Sequence, residues 1–177
     1  LGVHSVYNAL AAVSCGLLLG MKLSEIAAGI ETYQPLHGRM NVHELPRYTV
    51  IDDTYNANPT SMKASLDVLA KCSGRRVAIL GDMRELGVSA PQMHEDIGRY
   101  AASLGIERIL CVGKESLHMF RAAKEMSADC ADYFETQDAL LSDLPKLVRE
   151  GDVILVKASR GMYLEKTVEQ LLALANG

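Results

Sequence analysis

Asp52, Asp53, Asn56 and Asn58 crowd the string Asp-Asp-Thr-Tyr-Asn-Ala-Asn-Pro, residues 52–59, which directly follows the β-rich apolar run Tyr48–Ile51. Neighbouring carboxylates repel unless their surroundings give them separate duties. On a strand they also point to opposite sides. One carboxylate can therefore anchor the loop while the other accepts hydrogen bonds from a sugar diol. Asn58 and Pro59 suit a helix cap and a first helical position, and this reading stands level with a ligand role for the amide. Three further strings carry chemistry of the same kind. Gly81–Gly87 holds Asp82, Arg84 and Glu85, and is equally a solvated loop with a local Asp82–Arg84 pair. Gly113-Lys114 ends another apolar run, and Lys157, Ser159 and Arg160 end a third. A lysine closing a buried strand needs an aspartate or an anionic ligand group to offset it, or else reaches the surface along its stem. Together these residues suit a ligand with both ammonium and carboxylate, or a nucleotide's ribose and phosphates.

The elements that position these strings follow from periodicity. Val3, Val6, Leu10, Val13 and Leu17 recur at helical spacing, predicting an amphipathic helix over 3–19 that closes at Gly20. Ser24 is the expected cap of a short second helix over 24–33. This pair supplies no sheet and is expected to pack on something larger. After the Pro35–Gly38 region, "MNVHEL" and "YTVID" read as two strands joined by a tight turn at Pro46-Arg47. Helices over 59–71, 91–104, 115–126, 137–149 and 163–175 then alternate with strands over 76–80, 108–112, near Asp132–Phe134, and over 153–157. Short apolar strands between helices predict an α/β fold, a mostly parallel sheet with helices on both faces. In such sheets ligands lie beyond the carboxyl ends of the strands, where all the strings above end.

Composition narrows the alternatives. With 49% hydrophobic and 23% charged residues the chain is ordinary globular protein, and a net charge of −4 without a basic face argues against nucleic acid. The four cysteines form no C-x-x-C pair, so reduced and mostly buried thiols are expected rather than a disulfide framework or zinc site. The five histidines show no metal spacing, His94 reads as packed or solvent-facing, and the eight methionines are scattered as core filler. No apolar stretch approaches the ~20 residues of a membrane span. Neither G-x-G-x-x-G after the first strand nor G-x-x-x-x-G-K-[ST] anywhere is present, so the chain has no phosphate cradle of its own. It opens at Leu1 as though already inside an element, and is expected to be part of a longer chain.

Three strings, "IDDTYNANPTSMKASLDVL" at 51–69, "AILGDMRELG" at 78–87 and "VKASRGMYLE" at 156–165, resemble the C-terminal portion of the Mur ligase family, in the version that adds D-alanyl-D-alanine. "GVHSVYNALAA" at 2–12 resembles the segment that ends the family's central ATPase domain. The resemblance implies residues 1–36 as the last helices of that ATPase domain and 37–177 as a Rossmann-like ligase domain. It implies an ATP-dependent, ADP-forming amide ligase of peptidoglycan precursor synthesis. D-alanyl-D-alanine would be added to UDP-N-acetylmuramoyl-tripeptide through an acyl phosphate, in the bacterial cytoplasm, by a monomer. ATP and Mg2+ would be held mainly by the central domain, leaving this chain inactive alone. Residue by residue, the resemblance assigns Asn8, Arg39 and Asp53 to the nucleotide: adenine, phosphates and ribose hydroxyls in turn. Asn56, Asn58, Lys157, Ser159 and Arg160 are candidates for the dipeptide side; no catalytic residue and no metal ligand is assigned. Two departures stand out: Ser5 replaces an asparagine of the adenine pattern, and Ala158 stands where glycine is usual. Another Mur-type amino-acid ligase, or a non-catalytic α/β binding module, remains the alternative.

Overall fold

A computed structural model describes residues 3–34 and 36–176, apart from the side chains of Val3 and His4. Pro35, where the boundary is expected to begin, lies outside the described residues, as does the His4 side chain of the adenine pattern. The chain divides into two compact units between Leu36 and His37.

The first unit is a helix pair, α1 (Val3–Leu18) and α2 (Leu23–Glu31). Gly20 turns the chain at φ 78°, and the Met21 amide reaches back to the Gly16 carbonyl at 3.0 Å. The cap of α2 is Lys22 rather than Ser24. Its backbone N–H donates to the Glu25 carboxylate at 2.8 Å, so the acid three residues on fixes the helix start and Ser24 falls inside. Ile26 packs on Gly16, where a β-carbon would sit 2.7 Å from the isoleucine side chain. Val6, Leu10 and Leu17 on α1 remain 53–58% exposed.

The second unit contains six strands: β1 (Asn41–Glu44), β2 (Thr49–Asp53), β3 (Arg75–Gly81), β4 (Arg108–Val112), β5 (Ala131–Phe134) and β6 (Asp152–Lys157). They form one sheet in the order β1-β2-β6-β3-β4-β5, with β1 antiparallel to β2 and all other pairs parallel. The Leu45 amide bonded to the Tyr48 carbonyl at 3.1 Å closes the expected hairpin. Alternation along the strands feeds two cores. Ile51, Ala78, Leu80, Ile109 and Leu155 meet α3 (Pro59–Ala70), α4 (Ala90–Ser103) and α5 (Ser116–Met126) on one face. Val50, Val77, Ile79, Leu110 and Ile154 meet α6 (Gln137–Leu147) and α7 (Glu165–Ala175) on the other. Each fully buried leucine or isoleucine there contributes about 1.5–3 kcal/mol.

The element ends that differ from expectation have local causes. Pro145 lies inside α6 and has no N–H for the Leu141 carbonyl; the Gln170 side chain of α7 donates to that oxygen instead, at 2.8 Å. Helix α7 starts at Glu165 rather than 163, because Arg160–Met162 makes a 3-10 turn and Tyr163 takes a left-handed φ of 54°.

Candidate functional site at the carboxyl rim of the sheet

The strand order makes β2, β6 and β3 consecutive, so the loops leaving their carboxyl ends touch. Asp53 and Lys157 are register partners. Two residues beyond Ile51 and Leu155, both side chains turn to the α3 face. There the Lys157 Nζ donates to Asp53 Oδ2 at 2.6 Å and to the Asn56 carbonyl at 2.8 Å. Asp53 also accepts from Ser65 Oγ of α3 at 2.6 Å and from the Met40 amide at 3.2 Å. The lysine is 2% exposed and the aspartate 8%. An aspartate is thus what offsets the buried ammonium, and the lysine does not reach the surface. An ionised carboxylate offers roughly four acceptor positions. Asp53, with three donors in place, has about one left for a ligand at the rim.

Asp52 faces the other way and is fully buried. Its Oδ1 accepts from the Thr54 amide at 3.1 Å and the Thr54 hydroxyl at 2.7 Å, which anchors the loop. Its Oδ2 accepts no hydrogen bond among the described residues and lies 3.8 Å from the ring of exposed His37. Asn56 and Asn58 are exposed. Asn56 Oδ1 accepts from the Ala57 amide at 2.8 Å. Asn58 is the cap of α3: it accepts from the Ser61 amide at 2.8 Å while Ser61 Oγ accepts from the Asn58 amide at 3.0 Å.

The loop after β3 is bolted on both sides. Asp82 does not pair with Arg84, the local pair open from sequence. Its carboxylate turns to the start of α5, accepting from the Ser116 amide and hydroxyl, each at 2.8 Å. Gly113 makes that approach possible: at φ 113° it leaves space where a β-carbon would stand 2.5 Å from the carboxylate. The Arg84 guanidinium lies over Gly161 and near Met162 Sδ. Ser159, almost buried, joins three loops: it accepts from the Arg84 amide at 2.8 Å, donates to the Ala57 carbonyl at 3.3 Å, and its own amide reaches the Asp82 carbonyl at 3.0 Å. His94 is packed rather than solvent-facing. Its Nε2 accepts from the Met83 amide at 2.9 Å, which puts the ring proton on Nδ1, 2.7 Å from the Ala90 carbonyl.

The outer rim is basic and aromatic. Tyr55 donates its amide to the Gly38 carbonyl at 2.9 Å, tying the first residues of the second unit to the β2–α3 loop. Its half-exposed ring carries the Arg39 guanidinium at 4.1 Å and that of Arg160 at 5.1 Å. The non-glycine residues with positive φ among those described are Met40, Glu85 and Tyr163, one in each of three loops around this rim. Such strain persists where surroundings over-determine the backbone, as functional sites do.

Asp53, Asn56, Lys157, Ser159, Arg160 and Arg39 are therefore brought together, with Asn58 at the adjoining helix start. Asn8 is an exposed residue of α1 in the first unit and is placed only there. Sequence reasoning missed Ser65, Ser116 and Tyr55, and for His94 foresaw the packing but not its bond to the Met83 amide. For Ser65 the available signal was its place in the first turns of α3, facing the same side as buried Met62. The cysteines are free: Cys111 and Cys130 are buried, Cys72 half-buried and Cys15 exposed, and burial pushes the Cys111 thiol well up and raises that of Cys130. Among the described residues no three histidine, cysteine or carboxylate groups are placed to hold a metal ion, and no helix is long and apolar enough to cross a membrane.

Comparison with known proteins decides the family. A family model described as "Mur ligase, glutamate ligase domain" matches residues 38–160. The chain belongs to the Mur ligase family. Among Mur ligases, the UDP-N-acetylmuramoyl-tripeptide–D-alanyl-D-alanine ligases of Escherichia coli and Bacillus subtilis are 38% and 32% identical to it, over 96% and 97% of this chain. A crystal structure of MurF from Acinetobacter baumannii superposes with a TM-score of 0.89 at 38% identity, covering 97% of this chain. The chain spans 37–38% of the length of these relatives. The expected mostly parallel α/β sheet is the fold of this family.

Proposed function

We propose that this chain is the C-terminal part of a UDP-N-acetylmuramoyl-tripeptide–D-alanyl-D-alanine ligase, a bacterial cytoplasmic enzyme that forms an amide bond at the expense of ATP. The supporting observation is the match along nearly the whole chain to relatives that carry this one activity. In this reading residues 1–36 close the ATP-binding domain, and residues 37–177 form the domain that completes the site. Activating the tripeptide carboxylate as an acyl phosphate is the chemistry ATP supplies. The residues here fit part of a nucleotide: Asp53 keeps about one acceptor position for a ribose hydroxyl. Arg39 has no carboxylate within ion-pair distance among the described residues and suits a phosphate oxygen. Mg2+ and most of the nucleotide belong to the remaining length of the relatives. Asn56, Asn58 and Arg160 offer amide and guanidinium groups to a dipeptide with a free amine and a carboxylate. Lys157 and Ser159 act behind them, holding Asp53 and the three loops in place so that the bound groups meet in one orientation.

The test uses the full-length protein that carries this chain. Phosphate release from ATP should require both the UDP-linked tripeptide and D-alanyl-D-alanine, and the 177-residue chain alone should release none. Release driven by a different amino acid would move the protein to another Mur-type ligase. Turnover by the isolated chain would overturn the assignment of its domains.

A further inference from the structure

Resemblance assigns Arg39 to the nucleotide, and Arg160 is a candidate for the dipeptide side, as separate contacts. Geometry joins them. Arg39 precedes β1, Arg160 follows β6, and Tyr55 belongs to the β2–α3 loop, yet both guanidinium carbons come to one tyrosine ring, at 4.1 and 5.1 Å. Neither guanidinium has a carboxylate within 4.0 Å among the described residues, unlike Arg75, Arg76, Arg99 and Arg108 elsewhere in the second unit. Two unneutralised cations beside one ring repel each other, and the ring's negative face offsets that only in part. The backbone that carries the ring is fixed from behind, because the Tyr55 amide is bonded to Gly38 and the loop before it is anchored by Asp52 and Thr54. The guanidinium carbons are no farther apart than those two distances laid end to end. A single phosphate, or a carboxylate accepting from each arginine at a different oxygen, can reach two guanidinium groups held within such a span.

We propose that Tyr55 is a positioning residue: its ring holds Arg39 and Arg160 as a clamp for a single anionic group, a phosphate or a carboxylate of the substrates. This rests on the ligase reading above only for the identity of the substrates. The clamp itself is tested on the 177-residue chain by the side-chain Nε–H signals of the two arginines in nuclear magnetic resonance, for wild type, Tyr55→Phe and Tyr55→Leu. Ring-current shifts of both arginines should persist in Tyr55→Phe and vanish in Tyr55→Leu. Titration with inorganic pyrophosphate and, separately, with D-alanyl-D-alanine should move both arginine signals together, with one midpoint. Response to pyrophosphate alone identifies a phosphate site and response to the dipeptide alone a carboxylate site. Different midpoints for the two arginines, or no response to either probe at millimolar concentration, overturns the clamp.

In the full-length enzyme, Tyr55→Leu should raise the KM of the substrate so identified by about tenfold, with kcat changed far less, and Tyr55→Phe should behave as wild type. Equal loss in both variants would place the effect in the hydroxyl, and an unchanged KM with a lowered melting temperature would make Tyr55 structural; either result refutes the proposal. Absence of ligation by the wild-type full-length protein would sink the ligase reading and leave the resonance experiment standing.

Discussion

Lys157 is the residue whose replacement the structure constrains most tightly. Lys157→Met keeps the stem and removes the ammonium. It leaves the Asp53 carboxylate, 8% exposed, without the cation 2.6 Å away. Removing one partner of a buried ion pair costs about 3–5 kcal/mol, because the other charge stays behind. Asp53 keeps the Ser65 hydroxyl and the Met40 amide, so the lower end, about 3 kcal/mol, is expected. Asp53→Asn alone strands the ammonium against the Asn56 carbonyl and should cost a similar amount. The double variant has no net buried charge and should lose only about 1–2 kcal/mol, a coupling well above the ~0.5 kcal/mol seen for independent sites. Urea unfolding of all four proteins, followed by circular dichroism with the slopes compared, gives the cycle. Losses that simply add would refute the reasoning and leave Lys157 free to serve a ligand directly. The same cycle bears on activity assays: Asp53→Ala in the full-length enzyme removes the proposed ribose contact and a counter-ion together. A raised KM for ATP then counts as ligand loss only after the stability cost has been subtracted.

Two further outcomes follow from packing and ionisation. Gly98 of α4 lies against the Met119 carbonyl of α5 so closely that a β-carbon would overlap it. Gly98→Ala should therefore lose about 2 kcal/mol in thermal unfolding despite alanine's better helix propensity, and an unchanged melting temperature would contradict that contact. Tyr48 donates its buried hydroxyl to the Leu171 carbonyl at 2.7 Å, and burial, opposed by nearby Arg47, raises its pKa above 10.0. The folded state keeps a proton that the unfolded chain releases, so this contribution is whole below pH 10 and is lost as pH rises through the higher folded value. Tyr48→Phe should cost about 1 kcal/mol at pH 7, and its deficit relative to wild type should shrink as pH rises above 10.0. A deficit constant across that range would show that the hydroxyl titrates alike in both states.

The sheet was legible because its strands are continuous apolar runs bounded by turn residues, so alternation alone assigns Ile51 and Leu155 to one core and Val50 and Ile154 to the other. The same alternation separated Asp52 from Asp53 without saying which anchors the loop; the bonds to Thr54 give that duty to Asp52. Strand order was not legible. Nothing local says that the last strand, β6, inserts between β2 and β3, and that insertion is what sets Lys157 beside Asp53. Partners of side chains were hidden for the same reason. Asp82 sits two residues from Arg84, but the start of α5 offers it two donors in fixed positions, where the flexible guanidinium offers only a solvent-screened pair. Ser24 was the expected cap by residue type, yet the bond that fixes the helix start comes from the backbone N–H of Lys22, which any residue but proline supplies.

Burial then sorts the candidate residues into two sets with different experimental meaning. Asp52, Lys157 and Ser159 turn inward and spend their polar atoms on Thr54, on Asp53 and Asn56, and on Ala57 and Arg84. Arg39, Tyr55, Asn56, Asn58 and Arg160 stand outward on loops that those inward bonds have already fixed. Substitution of an inward residue moves several outward ones at once, so it lowers stability and activity together and cannot identify a ligand contact. Substitution of Arg39, Tyr55 or Arg160 leaves these side-chain bolts in place and changes one group at the rim, whereas Asn58 also caps α3 and its loss would weaken that helix start. The contrast between Lys157→Met and Tyr55→Leu is therefore the informative one. The first should shift unfolding more than the arginine resonances, and the second the reverse. A rim in which both variants gave the same pattern would not be built from a rigid inner layer carrying an adjustable outer one.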